Sequence, residues 1–356
     1  DRLTKDELKS VQNTKVNITW ATHDYESLWD KDGACDDNPF RYEAHITPEC
    51  ITGDNGRVIM PRVMKDAALQ TARSKNKAEV FTPSWICNAQ NNLIDREWFG
   101  YDAFNTESID SEGHHIWEPT SKVKFPEDDP EKTWKSYVED NRLEITCGEA
   151  PYLVSRYDTT TGEYIPLEKR IGLLDRKLRV INENVDTSVD DKEWVKWVKK
   201  AYQHTYGYEW QGDNLLLARE ALFYTFIENY MAVFNGKKPQ WYTMKAIARI
   251  ISWNLWQMDG LKMVVPDSCK VEMIERRIAP TLFNEVEQIQ YEARECQACK
   301  KGEMTGHNGI HCLIRNWDEK RPKNYVKRLW EDPKSASWQK IKFSSLYEGT
   351  KHEKTK

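Results

Sequence analysis

The sequence predicts a mixed α/β fold, and three stretches predict it. Residues 142–157, RLEITCGEAPYLVSRY, read as a short β-strand ending on the carboxylate of Glu144, a tight turn around Cys147-Gly148, and the start of a helix. Residues 206–209, YGYE, read as a second strand ending on an acid, Glu209. That strand runs into the long apolar helix LLLAREALFYTFIENYMAVF. Between the two strands, Trp194, Val195, Trp197, Val198, Ala201 and Tyr202 recur at helical spacing and predict a core-facing helix. Strands and helices alternating in this way build βα units. A glycine at the first turn lets backbone approach a ligand closely, and a carboxylate at a strand end suits a cationic or hydroxyl-rich ligand better than a phosphate.

The chain has 356 residues, enough to bury a substantial core in one large α/β domain with an N-terminal extension. Its net charge of −5 excludes a global electrostatic footprint for nucleic acid, so any such contact needs a local basic patch or a partner subunit. The 15 tryptophans read as core and helix-packing aromatics. No apolar run approaches the roughly 18 residues of a membrane span, and no signal peptide is recognisable. The 8 cysteines are uneven: Cys296, Cys299 and Cys312 cluster, while Cys87 and Cys147 sit in the motifs described below. That distribution suits a reducing cytoplasm and a local metal site better than a disulfide framework.

In chain order, residues 1–60 are polar, with turn clusters such as Gly53-Asp54-Asn55-Gly56, and read as an extension that wraps the main domain or meets a partner. Residues 61–77 carry Arg62, Lys65, Arg73, Lys75 and Lys77, either a solvated helix face or a phosphate-contacting patch. A helix is expected from Pro83 to about Asp95, with proline in its first turn. Residues 100–135 read as a surface insertion, with His114-His115 exposed, and residues 158–190 as a second polar insertion. Lys245–Trp256 predicts an amphipathic helix followed by Gln257-Met258-Asp259-Gly260, where Asp259 is either a ligand acceptor or a turn former.

Residues 296–312, CQACKKGEMTGHNGIHC, offer Cys296, Cys299, His307, His311 and Cys312. A C-x2-C pair sets two thiolates on one side of a metal, and His307 to Cys312 has the H-x4-C interval of small zinc knuckles. Gly302, Gly306 and Gly309 supply tight turns. His307 is preferred over His311, because ligands adjacent in sequence strain a tetrahedron. The expected set is Cys296, Cys299, His307 and Cys312 around a structural Zn2+, with reduced, unbound thiols as the alternative.

Two motifs in order carry a resemblance. Glu79-Val80-Phe81-Thr82-Pro83 reads EVFTP, and Leu143-Glu144, Cys147-Gly148 and Tyr152 follow the pattern LEPSCGxGxF, with Ile145 and Ala150 replacing a proline and a glycine. Together they resemble the γ-class adenine-N6 DNA methyltransferases and the modification subunits of restriction–modification systems. The resemblance implies a Rossmann-like, S-adenosylmethionine-binding sheet. Phe81, Thr82, Pro83, Glu144, Cys147 and Gly148 would hold the cofactor, Glu209 its ribose hydroxyls and Asp259 its adenine amino group. The alternative for Glu209 is a buried acid capping the next helix.

The family's (N/D)PP(Y/F) tetrapeptide is absent. Asn316 and Trp317, after the apolar run Leu313-Ile314, stand in the corresponding order and are the candidates for accepting the target amine's hydrogens and stacking the flipped base. Asp37-Asn38-Pro39-Phe40 matches by letters but precedes the first motif. The expected organisation is an extension (1–60), a cofactor-binding core with insertions (61–285), and a zinc knuckle with the end of the core (286–356). The expected partners are DNA and a separate specificity or restriction subunit, with no membrane and a cytoplasmic location. A non-catalytic subunit that keeps the fold as a DNA- or partner-binding scaffold is the competing expectation.

Overall fold

The computed structural model describes residues 18–29, 38–77, 82–278, 288–317 and 340–347. They fall into two compact units that divide between Trp256 and Gln257. The N-terminal unit contains α1 (Pro48–Ile51), α2 (Ala67–Lys77), α3 (Ser84–Phe99), β1 (Asn105–Ile109), β2 (His115–Pro119), α4 (Trp134–Glu139) and β3 (Arg142–Glu144). It continues through α5 (Leu173–Asn184), α6 (Lys192–Gln203), β4 (Thr205–Glu209), α7 (Gly212–Val233) and α8 (Trp241–Asn254). β5 (Leu255–Gln257) closes a three-stranded sheet of order β3-β4-β5. β3 and β4 are parallel, with Leu143 opposite Tyr206 and Glu144 opposite Gly207. Mixed α/β architecture with a parallel strand pair is therefore present, and both strands end on the acids read from the sequence.

The helices follow from their patterning. On α6 the six residues at helical spacing are all buried. α7 is apolar nearly all round and buries Leu215, Leu217, Ala218, Leu222 and Phe226, as a helix enclosed by neighbours must. Asn254, at the end of α8, donates from Nδ2 to the carbonyls of Tyr202 (2.8 Å) and Thr205 (3.0 Å), tying that helix to the entry of β4.

Three expectations change. Residues 158–190 are not simply a polar insertion, because they contain α5, which buries Leu173, Leu174, Leu178, Val180 and Ile181. The helix reads as polar because Asp175, Arg176 and Lys177 are buried as well. The Arg176 guanidinium reaches Asp95 (2.6 Å), Asn88 (2.9 Å) and Asn92 (2.8 Å) on α3, and burial without these partners would be prohibitive. Lys177 donates to the carbonyls of Asp140 and His204, where β3 and β4 begin, and burial pulls its pKa well down. Residues 100–135 hold the antiparallel hairpin β1–β2, whose exposed His115 stacks on Trp85 with ring centroids 3.8 Å apart.

The basic stretch 61–77 is neither a solvated face nor a free patch at its two buried members. Lys65 lies 3.3 Å from Asp213, and Arg73 bridges Asp213 (3.0 Å) and Asp24 (2.7 Å). The Tyr25 hydroxyl donates to the same Asp213 at 2.7 Å. The extension thus packs on the start of α7. A Cβ on Gly212 would fall 2.0 Å from the Thr19 carbonyl oxygen, so only glycine permits that approach.

The C-terminal unit holds the hairpin β6 (Glu272–Ile278) and β7 (Gln288–Arg294), the short helix α9 (Gln297–Lys301), and the antiparallel pair β8 (Leu313–Arg315) and β9 (Lys340–Lys342). Val264 bridges to both Asp259 and His311. Among the described residues no helix is long and apolar enough to cross a membrane.

Candidate functional site

Two groups of side chains merit a chemical reading, one in each unit. In the N-terminal unit the tips of β3 and β4 lie side by side. The loop after β3 bends sharply, with Thr146 (φ 47°), Gly148 (φ 54°) and Ala150 (φ 63°) all left-handed. The Cys147 N–H returns to the Tyr208 carbonyl at 2.8 Å, and the Gly148 N–H donates to Glu209 Oε2 at 2.8 Å. Glu209, ending the second strand, therefore grips the glycine turn of the first. Its other oxygen accepts from the Gln211 N–H at 3.2 Å, so the acid also supports the start of α7.

Glu144 turns the opposite way, accepting from the N–H groups of Tyr152 (3.4 Å) and Leu153 (3.1 Å). Burial raises the pKa of both acids against the lowering effect of these backbone bonds. Cys147 is buried between them, and burial likewise pushes its thiol up. Its sulfur fills the space left by Gly207, whose Cβ would lie 3.3 Å from it.

The helix expected directly after Gly148 does not form. Left-handed Ala150 precedes Pro151, which disfavours helical backbone at the residue before it. Residues 149–172 instead run through turns, a Tyr157–Tyr164 bridge and a short 3-10 turn at Leu167–Lys169, and the next α-helix is α5. The first turn of α5 is fixed to the loop, with Leu173 N–H donating to the Tyr152 carbonyl at 2.7 Å.

Thr82 and Pro83, the described part of the first motif, meet the second motif at this loop. The Tyr152 side chain faces the side chains of Thr82 and Cys87, and the Cys87 thiol lies 3.6 Å from the Thr82 carbonyl oxygen. Asp158 accepts from the Ser84 N–H at 2.7 Å and so caps α3, which begins immediately after Pro83. Although burial opposes it, bonds from Thr160, Ser84 and Thr161 bring the Asp158 pKa down to about 2. Thr82 offers its carbonyl to Thr159 Oγ1 at 3.2 Å. Phe81 lies outside the described residues.

Asp259 belongs to the C-terminal unit. Its Oδ1 accepts from the N–H groups of Leu261 (2.9 Å) and Lys262 (3.2 Å), and Lys262 Nζ lies 3.3 Å from Oδ2. This carboxylate shapes its own turn. Asn316 is exposed at the end of β8, and the Arg315 guanidinium lies 5.0 Å from the centroid of Trp317.

The second group is sulfur-rich. Cys269, Cys296, Cys299 and His307 present ligand atoms all within 4.8 Å of one another, a group that could hold a metal ion. His307 Nδ1 faces Cys269, Cys296 and Cys299 at 3.6, 3.6 and 3.4 Å. Its Nε2 lies 2.7 Å from the Glu303 carbonyl oxygen, which fixes the proton on Nε2 and leaves the Nδ1 lone pair aimed at the sulfurs. Burial opposes ionisation of Cys296, but backbone N–H groups of Asn308 and Cys299 and the His307 ring bring its pKa down to about 6. Burial and the neighbouring thiols push Cys269 up to about 12.

One expected ligand is replaced. Cys312 points away from the group, its buried Sγ 3.5 Å from the Gln257 carbonyl oxygen, and Cys269 stands in its place. The sequence hides Cys269 because it lies 27 positions before Cys296 (296 − 269), outside any compact ligand spacing. The hairpin register closes that gap, since Glu272 pairs with Arg294 and brings the two feet together. His311 is engaged in the bridge to Val264 and is not one of the four donors. No protein-family model, curated protein or solved structure matches this chain.

Proposed function

We propose that the chain binds S-adenosylmethionine at the tips of β3 and β4 and is a DNA methyltransferase, acting on adenine N6 within a restriction–modification or phage-related system. One observation carries the reading. The acid ending β4 lies beside the glycine turn ending the adjacent parallel strand, joined to it by the 2.8 Å bond from Gly148 N–H to Glu209. Adjacent parallel strands with a glycine turn on one and a terminal acid on the other suit a nucleoside whose hydroxyls donate to that acid. Two buried acids so close together disfavour a phosphate. The lone pairs left on Glu209 fit hydroxyl donors, so the donor set is compatible with this cofactor.

When bound, the cofactor supplies an electrophilic methyl group for direct in-line transfer. The protein's tasks are then positional. Glu209 would orient the ribose, and the Thr82–Tyr152 contact would hold Thr82 against the loop. Asn316 and Trp317 would accept the amine hydrogens and stack the base. A Rossmann-like sheet, DNA as substrate and a separate specificity subunit belong to this same proposal.

A scaffold reading rests on a different observation. Glu144, Glu209 and Asp259 all bond to their own turns, which is what a retained but unused fold would show. Methyl transfer from labelled S-adenosylmethionine to DNA separates the two. Incorporation abolished in Asn316→Ala, with cofactor binding intact, supports the enzyme. Absence of incorporation by the parent chain, with or without a partner subunit, supports the scaffold.

A further inference from the structure

We infer that Cys269, Cys296, Cys299 and His307 bind one zinc ion as a closed structural centre, and that this ion holds together the described residues around the foot of the β6–β7 hairpin. Three thiolates and one imidazole complete a tetrahedron with no position for water or substrate, the mark of a structural rather than catalytic zinc site. Soft sulfur donors in that number select zinc over calcium or magnesium.

The surroundings are arranged for such a centre. Cys296 stands at the N-cap of α9, and Gly302 closes that helix in the left-handed conformation (φ 66°), so the C-x2-C segment turns within one short helix. Backbone N–H groups of Asn308 and Cys299 point at the Cys296 sulfur, the outer bonds that thiolate ligands commonly receive. The segment carrying His307 is fastened to the segment carrying Cys269. Asn308 Nδ2 donates to the Lys270 carbonyl at 2.9 Å, and the Ile310 N–H to Ser268 Oγ at 2.9 Å. Any side chain at Gly309 would crowd them, since its Cβ would fall 2.7 Å from Ser268 Oγ and 3.1 Å from the Cys269 sulfur.

The apolar content of the described residues of this unit leaves a role for a metal. Its buried hydrophobic side chains among the described residues are few and mostly small: Met258, Met263, Val264, Ala298, Cys312 and Ile314, beside the ligand Cys296. On β6 and β7, Met273, Ile289 and Tyr291 remain 62%, 51% and 64% exposed. A core of this size seldom stabilises a fold alone, and natural small units add disulfides or a metal. All three ligand cysteines are free of disulfides, which leaves their thiols available to a metal. Zinc bound by ligands scattered in the unfolded chain contributes directly to folding.

The test uses the whole chain, purified without chelator or reloaded with zinc. Elemental analysis is expected to find one zinc per chain. Cys269→Ser should weaken zinc binding by more than the roughly 10–100-fold that loss of an outer-shell partner costs, whereas Cys312→Ser should keep the full equivalent. Hydrogen exchange after chelation should show protection lost across 257–317 and retained across 142–256. Should Cys269→Ser prove insoluble, cobalt added to the parent chain reports the site directly through the visible bands of a tetrahedral thiolate complex. A parent chain that takes up neither metal would overturn the inference. So would a Cys269→Ser chain that binds zinc as tightly as the parent, or exchange in 257–317 unchanged by chelation.

Discussion

The two units solve the same problem, holding a loop cluster in place, by different physics. The N-terminal unit buries large side chains such as Trp20, Trp194 and Trp253, and threads charges such as Arg176 and Asp213 through that core in ion pairs and hydrogen bonds. Its strand tips are therefore rigid by packing, and their carboxylates are fixed by backbone N–H groups. The described part of the C-terminal unit buries few large apolar side chains and concentrates its donors at the foot of one hairpin. The difference teaches that a polar residue means opposite things in the two places. In the first unit a buried charge is held by neighbouring side chains or backbone groups, and in the second three sulfurs and an imidazole gather into one potential ligand set.

The comparison breaks most visibly at Arg176. Replacing Asp95 with Ala leaves that guanidinium buried without its 2.6 Å carboxylate partner, and removes the acceptor of the Tyr137 hydroxyl at 2.9 Å. The expected loss is about 3–5 kcal/mol of unfolding free energy, read from a denaturant midpoint and unaffected by zinc. A loss below about 1 kcal/mol would show that the network is not the support of the N-terminal unit.

Next in size is Gly212→Ala. The added Cβ meets backbone at 2.0 Å, so the extension must shift or separate from α7, at about 1–3 kcal/mol. An unchanged melting temperature would show that the extension is not seated there. Cys312→Ala sharpens the contrast from the other unit. Removing a buried thiol outside the ligand group should cost on the order of 1 kcal/mol and leave the metal content of the chain unchanged. Metal loss in that variant would restore Cys312 to the ligand set.

The smallest expected effect is a pH dependence at Asp158. Its pKa falls from 3.8 to about 2 on folding, so it stabilises the folded state fully above about pH 4. That contribution declines as pH falls through the folded pKa near 2. Asp158→Asn should flatten acid unfolding between pH 4 and 2 and loosen the start of α3. An unaltered acid profile would remove Asp158 as the cap of that helix.

Much of this architecture was legible in the sequence where one signal dominates. The six residues of α6 keep a clean helical period, and Glu144 and Glu209 end the two short strands as the sequence indicates. α5 was hidden because Asp175, Arg176 and Lys177 are charged yet buried, and period-based reading assigns charge to solvent. Pro151 was the available signal against a helix after Gly148. Three of the four metal donors lie within 12 residues, counting 296 to 307, and were found together. Cys269 depends on strand pairing across a hairpin, which no local spacing records.

The central claim is that the strand tips of the N-terminal unit bind a hydroxyl-bearing nucleoside through Glu209. Calorimetric titration of S-adenosylmethionine and its demethylated product into the whole chain tests it most directly. The account predicts binding of both by the parent chain and its loss in Glu209→Ala, with the folded state retained by circular dichroism. Absence of heat at about millimolar ligand, where even a site worth some −4 kcal/mol would register, would contradict it, as would undiminished binding in Glu209→Ala.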